Sequence, residues 1–314
     1  MKKFKPEINK KNVKKLLKNV YNQSVEDFKE AESGKIKRVF FFKFKGNAYV
    51  IRFSDNNIEF KIEKFIQDNI NDKQFPIPET YYQGEYYDMF YSITEMISGT
   101  PLYQINKEEF LKILPDLMES MTKFHAIDIS STTGFGWPDN ELNGCFESYK
   151  EYIEENFSND LSGFWYGWNE LFDNTFLDSA IFNDLYDIMM ELVPYCEGRK
   201  YLAHTDFHYD HILVNDSKVT GIIDWGRVRY VDFLFDIVTI VMQFHSLHLI
   251  PKYKNYYKKN KFNIDNFNER FICAAICQSL DGMRFWAKIG EEKSYTSILN
   301  NILSLLKKNF NITI

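Results

Sequence analysis

Cysteine is scarce in this chain of 314 residues, with only Cys145, Cys196, Cys273 and Cys277, and no two of them form a C-x-x-C pair. Neither a disulfide framework nor a cysteine zinc site is suggested. Long apolar runs are missing too, and nothing approaches the ~20 uninterrupted apolar residues that span a bilayer. The basic start, MKKFKPEINKKNVKKLL, lacks the apolar stretch of a signal peptide. No G-x(4)-G-K-S/T sequence occurs, so a P-loop enzyme is not supported, and there is no internal repeat or low-complexity linker. A net charge of −6 argues against a general nucleic-acid binder. These absences leave a globular, cytoplasmic protein with no membrane or nucleic-acid partner as the expectation, taken to be a monomer.

Aromatics, by contrast, are abundant at 17% of residues, mostly Phe (29) and Tyr (20). With 45% hydrophobic and 26% charged residues the chain falls in the globular range, long enough for one large domain or two modest ones. Charge is unevenly spread. Residues 1–45 carry 14 Lys/Arg against 5 Asp/Glu, whereas residues 139–198 hold 14 acids and a single base, Lys150. Such polarity suggests two regions meeting different electrostatic partners.

Periodicity divides the chain in the same way. Lys11 to Tyr21 reads as a helix. RVFFFKF (Arg38 to Phe44) and AYVIRF (Ala48 to Phe53) read as two strands around a Gly46-Asn47 turn. Ile58, Ile62, Phe65, Ile66 and Ile70 recur at helical spacing, and Pro76 and Pro78 prevent that helix from continuing. YYQGEYYDMFYSITEMI supplies two more strands, so residues 1–97 predict a sheet of about five strands with one inserted helix. Glu108 to Ile127 is helical by period. The acidic, aromatic stretch that follows shows no clear strands, and from Phe233 onward the pattern is again helical. A small strand-rich lobe (1–97) joined to a larger helical lobe (98–314) is the expected organisation.

The densest chemistry is H-T-D-F-H-Y-D-H, from His204 to His211, with Asp224 following in IIDW. Ile212 to Val214 and Val219 to Ile223 predict a hairpin with Asp206 before it and Asp224 after it, which brings two carboxylates to one end. Paired carboxylates suit phosphoryl transfer, one taking the proton of the attacking hydroxyl and the other holding Mg²⁺. A different reading makes His204, His208 and His211 with Asp206 a zinc cluster for hydrolysis. A third keeps the nucleotide site but leaves it catalytically silent.

The H-T-D-F-H…I-L-V and I-I-D-W segments resemble the catalytic and metal segments of the aminoglycoside phosphotransferase family, relatives of the protein kinases. MTKFHAID (Met121 to Asp128), ITEMISGTPL (Ile93 to Leu102), AESGKIKRVFFF (Ala31 to Phe42) and YVIRF (Tyr49 to Phe53) are similar to further elements of that family, in order. FPIPE, TTGFG and IIDW together resemble its hygromycin B phosphotransferase branch. The resemblance implies an α+β, protein-kinase-like bilobal fold, with a small antiparallel-sheet N-lobe holding one helix and a larger, mostly helical C-lobe. The implied activity is transfer of the γ-phosphate of ATP or GTP, with Mg²⁺, to a hydroxyl of a small cationic acceptor, an aminoglycoside of the hygromycin type. Choline, homoserine, sugar and macrolide kinases share the same machinery and stay open as alternatives.

Carried over by position, the resemblance makes Asp206 the catalytic base and Asp224 the Mg²⁺ ligand. Arg52 becomes the phosphate-binding cation, held by Glu59, with Glu63 one turn on as the competitor. Backbone groups of Glu95, Met96 and Ile97 would meet the adenine edge, and those of Ser33 and Gly34 would cover the phosphates. His211 stands where the family has the Asn that is its second metal ligand, and imidazole suits Mg²⁺ poorly. For the acceptor, the acidic and aromatic segment offers Glu154, Glu155, Trp165 and Trp168, and the C-terminal helices offer Asp281. An acidic solvated face over an aromatic core is the alternative for that segment.

Overall fold

The computed structural model describes residues 7–31, 37–70, 72 and 74–314. In chain order the first elements are α1 (Lys10–Tyr21), β1 (Glu26–Glu30), β2 (Arg38–Phe44), β3 (Asn47–Ser54), α2 (Ile58–Asn69), β4 (Thr80–Tyr86), β5 (Met89–Glu95) and β6 (Thr100–Pro101). Then come α3 (Lys107–His125), β7 (Phe135–Pro138), β8 (Gly144–Phe146), α4 (Tyr149–Asn156), α5 (Leu171–Asn174), α6 (Ser179–Leu192) and β9 (Tyr201–Ala203). The last are β10 (Ile212–Asn215), β11 (Lys218–Ile222), β12 (Arg229–Val231), α7 (Leu234–Gln243), α8 (Ile250–Lys259), α9 (Phe267–Ile289) and α10 (Glu292–Phe310). None of the described helices is long and apolar enough to cross a membrane.

The chain divides into two compact units, Met1–Ser120 with Asp210–Gly226, and Met121–Tyr209 with Arg227–Ile314. The sequence boundary after residue 97 falls just past β5, whereas the first unit runs on to Ser120 and also takes in the β10–β11 hairpin.

In the first unit, β1 to β5 form an antiparallel sheet in the order β1-β2-β3-β5-β4. Strand alternation assigns the two faces. Phe40 and Phe42 of β2 and Ile51 and Phe53 of β3 are buried in one cluster with Val13, Leu16 and Leu17 of α1. The intervening Val39, Phe41, Val50 and Arg52 line a cavity on the opposite face. The β2–β3 turn is made by Lys45 and Gly46, one residue earlier than the spacing predicts, because Phe44 pairs with Asn47 and both turn residues have positive φ. The edge strand β1, EDFKE, has no alternating apolar residues to betray it.

The β10–β11 hairpin closes in the same way. Asn215 pairs with Lys218, and Asp216 and Ser217 take φ of 47° and 61°. Beyond the paired strands, Ile223 N–H donates to the His211 carbonyl (3.0 Å). That bond holds residues 210 and 211 beside Asp224.

The second unit is mainly helical around α7, which is buried on almost every side and reads as apolar nearly throughout, and α9, which buries a long apolar face. It also contains a small sheet ordered β8-β7-β12-β9. Strands β7 and β8 correct the expectation of a strandless acidic segment; at four and three residues they are too short to show a period.

Candidate active site

The first unit gathers charge around its cavity of about 360 Å³. Arg52, on the cavity face of β3, meets two carboxylates that α2 presents one turn apart. Glu63 takes the guanidinium fork through Nη1 (2.6 Å) and Nη2 (2.5 Å), while Glu59 accepts one bond from Nη1 (3.0 Å). Glu59, the expected partner, thus holds Arg52 by one bond, and the two-pronged contact belongs to its competitor Glu63. Lys37, just before β2, is a site residue that sequence reasoning missed. Its ammonium donates to Glu59 (2.6 Å) and to Asp224 Oδ1 (2.7 Å). Burial alone would lower the Lys37 pKa, but the nearby Glu59 and Asp224 carboxylates outweigh it and hold it above its ordinary value.

Asp224 has a positive φ of 62° and keeps 45% of its side chain exposed, whereas Glu59 and Glu63 keep only 6% and 3%. His211 Nε2 lies 3.7 Å from Asp224 Oδ2 and 4.0 Å from Asp210 Oδ2. Mg²⁺ is usually held by one or two carboxylates together with substrate phosphates and water. A half-exposed carboxylate on a cavity that also carries two cations fits that demand, with Asp210 as a second oxygen donor close by. Among the described residues, no group of three or more His, Cys, Asp or Glu side chains is arranged to hold a metal by itself. His204, His208 and His211 with Asp206 are therefore not brought together as such a set.

The apolar part of the same cavity includes Val39, Val50, Met96, Ile97, Leu213 and Ile223. Of the three residues expected at an adenine edge, two have committed their N–H groups: Glu95 to the Glu79 carbonyl (2.9 Å) and Met96 to the Ala48 carbonyl (3.0 Å). Among the described residues, Ile97 N–H has no backbone partner. Ser33 and Gly34 lie outside the described residues.

In the second unit, the loop bearing Asp206 is fixed by a residue the sequence reading did not single out. Asp236, fully buried on α7, accepts the N–H of His204 (2.9 Å) and of Thr205 (2.7 Å). Its Oδ2 also meets His125 Nε2 (2.9 Å), and His125 Nδ1 meets the Tyr257 hydroxyl (2.7 Å). A lone acid in the apolar run LFDIVTIV was the available signal. Thr205 takes a positive φ of 55°, the kind of backbone strain that clusters at functional loops. The Asp206 carboxylate stays 21% exposed, 3.4 Å from His208 Nε2.

A second cavity of about 360 Å³ lies within this unit. Glu155, Trp165 and Asp281 line it, together with Trp137, Arg227 and Arg229. Glu154 and Trp168 are not among the lining residues. Successive helix residues point about 100° apart, and Glu154 is directed toward Lys150 (3.6 Å). Trp168 is 3% exposed, donates its indole N–H to the Ser158 carbonyl (2.8 Å) and packs on Phe172 and Phe182, so it belongs to the core. The ring faces of Trp137 and Trp165 and the Asp281 carboxylate are covered by arginines. Arg229 lies 3.9 Å over Trp137, Arg284 lies 4.0 Å over Trp165, and Asp281 pairs with Arg284 (2.8 Å) and Arg227 (3.3 Å).

The antiparallel N-terminal sheet, the helical C-terminal part and a charged cavity beside a hairpin define a protein of the kinase-like phosphotransferase class. A model of the phosphotransferase enzyme family matches residues 27–265, and the chain belongs to that family. It is 26% identical over 237 residues to hygromycin-B 4-O-kinase of Escherichia coli, covering 75% of this chain and 67% of that protein. Among solved structures, it matches a thermostable mutant of aminoglycoside phosphotransferase APH(4)-Ia in ternary complex with AMP-PNP and hygromycin B. The TM-score is 0.78 at 20% identity, over 96% of this chain and 99% of that one. Spectinomycin phosphotransferase APH(9)-Ia, in complex with ADP and spectinomycin, matches with a TM-score of 0.64 at 13% identity, over 94% and 95% of the two chains.

Proposed function

We propose that the protein transfers the γ-phosphate of ATP or GTP to a hydroxyl of an aminoglycoside of the hygromycin B type, acting as a monomer in the cytoplasm. The observation that carries this reading is the cavity of the first unit, lined both by apolar side chains and by Lys37, Arg52, Glu63 and Asp224. Adenine would lie against Val39, Val50 and Leu213, with Ile97 N–H as donor to its edge. The phosphates would lie toward Lys37 and Arg52.

Asp206 is the general base, aligning the acceptor hydroxyl and taking its proton as the phosphoryl group arrives. Asp236 and His125 act through the backbone of residues 204 and 205 and position that base. Asp224, with Asp210 or His211 beside it, would hold Mg²⁺, which when bound supplies charge neutralisation at the phosphates. The second-unit cavity would receive the acceptor. Glu155 and Asp281 would meet its amino groups, with the half-exposed Arg227 serving as a counter-ion that an acceptor ammonium can replace.

The test is a coupled ADP-release screen with hygromycin B, other aminoglycosides and choline. Turnover with hygromycin B or another aminoglycoside is the expected result. Turnover with choline alone, or none above the acceptor-free rate, would contradict the proposal.

A further inference from the structure

We propose that Lys37 is an exchangeable counter-ion: it occupies Asp224 in the nucleotide-free protein and passes to the triphosphate when the metal–nucleotide complex binds. This rests on reading the first-unit cavity as the nucleotide site.

Two cations, Lys37 and Arg52, form one cluster with three carboxylates, Glu59, Glu63 and Asp224, and the cluster retains one negative charge. The two cations are not held alike. Arg52 is clamped by a fork from Glu63 and a further bond to Glu59, and both carboxylates are almost wholly buried. Lys37 has one such anchor, Glu59, while its other partner is the half-exposed Asp224.

Cations approaching the same carboxylate oxygen repel one another strongly in a partly desolvated cleft. A divalent ion arriving at Asp224 must therefore displace the ammonium 2.7 Å from its Oδ1. Glu59 tethers the displaced ammonium within the cluster while this happens. Gly226 packs against the pair closely, since a Cβ there would lie 3.0 Å from the Lys37 ammonium and 3.1 Å from a Glu59 oxygen. The released donor remains at the cavity, where the phosphates would lie. Lys37 thus competes with the bare metal and cooperates with the metal–nucleotide complex.

That pair of opposite effects is what the experiment reads. Nucleotide-free wild type and Lys37→Met are titrated with Mn²⁺, followed by the electron paramagnetic resonance of free Mn²⁺. Both are then titrated calorimetrically with Mg²⁺ and AMP-PNP. In Lys37→Met, Mn²⁺ alone should bind about tenfold more tightly, and AMP-PNP with Mg²⁺ about tenfold more weakly, as expected for losing one close charge. Lys37→Gln, which removes the charge but keeps a polar side chain, should shift both affinities in the same two directions and serves if Lys37→Met does not fold. A variant that weakens both, or leaves Mn²⁺ affinity unchanged, overturns the exchange. Asp224→Asn should abolish the gain in Mn²⁺ affinity, and a gain that persists in that background also overturns it. Failure of the wild type to bind either AMP-PNP or its guanine counterpart GMP-PNP would instead sink the nucleotide-site reading, and the exchange with it.

Discussion

The two units treat their buried charges differently. In the second unit, Arg270 and Asp232 form a two-pronged pair with side chains 0% and 1% exposed, and the remaining Arg270 donors go to the carbonyls of Asn263 and Asp265. Neither residue of this pair lines either of the two cavities described. In the first unit, Glu59 is shared between Lys37 and Arg52, Lys37 is shared between Glu59 and Asp224, and Asp224 is half exposed. Complete, exclusive pairing serves the fold, because an unpaired buried charge is costly. Shared pairing around an open cavity leaves the charges ready for a ligand.

That contrast can be broken by substitution. Asp232→Asn strands the Arg270 guanidinium and should cost about 3–5 kcal/mol in denaturant unfolding, with AMP-PNP affinity retained in the protein that stays folded. Arg52→Met strands the almost wholly buried Glu63, so it should also destabilise the fold by about 3–5 kcal/mol, but in addition it should weaken AMP-PNP by about 30-fold, or about 2 kcal/mol, in calorimetry. If instead Arg52→Met leaves nucleotide affinity alone, the distinction fails.

Asp281 lies between the two cases, paired with Arg284 and Arg227 yet lining a cavity. Burial raises its pKa, but Arg284, Arg227 and Arg229 outweigh that and hold it below the usual carboxylate value. The stability it contributes is present above the ordinary carboxylate pKa of about 3.9 and is lost as pH falls through the lower folded value. Asp281→Asn should therefore unfold about 1–3 kcal/mol more easily at pH 7. Below about pH 4 it should show a flatter fall in melting temperature than the wild type. A parallel fall in both proteins would assign the acid sensitivity elsewhere. The smallest effect is expected at His211, whose imidazole stands off Asp224 at 3.7 Å. His211→Asn should keep Mg²⁺-dependent turnover within about threefold of the wild type or raise it, and a large loss would give His211 a role of its own.

Much of this was legible in the sequence where the information is local. Alternation in RVFFFKF and AYVIRF gives strands β2 and β3 with their buried and cavity-facing sides, and the helical spacing from Ile58 gives α2 with Glu59 and Glu63 on one face. The hairpin between Asp206 and Asp224 follows from two short apolar runs around a turn. What stayed hidden depends on distant partners. Lys37 sits in K-I-K-R, which looks like an ordinary solvated basic run, and only tertiary structure sets it beside Asp224, 187 residues away. Composition likewise could not separate Trp168 in the core from Trp165 at a cavity, nor show that Arg229 and Arg284 cover the ring faces a cationic ligand would need.

The central claim is that Asp206 takes the acceptor proton while the cavity of the first unit binds nucleotide without its help. Asp206→Asn measures this most directly, by ADP release with hygromycin B alongside AMP-PNP affinity. Turnover should fall by about 10³-fold or more, with nucleotide affinity within about twofold of the wild type. Turnover within tenfold of the wild type would contradict the account.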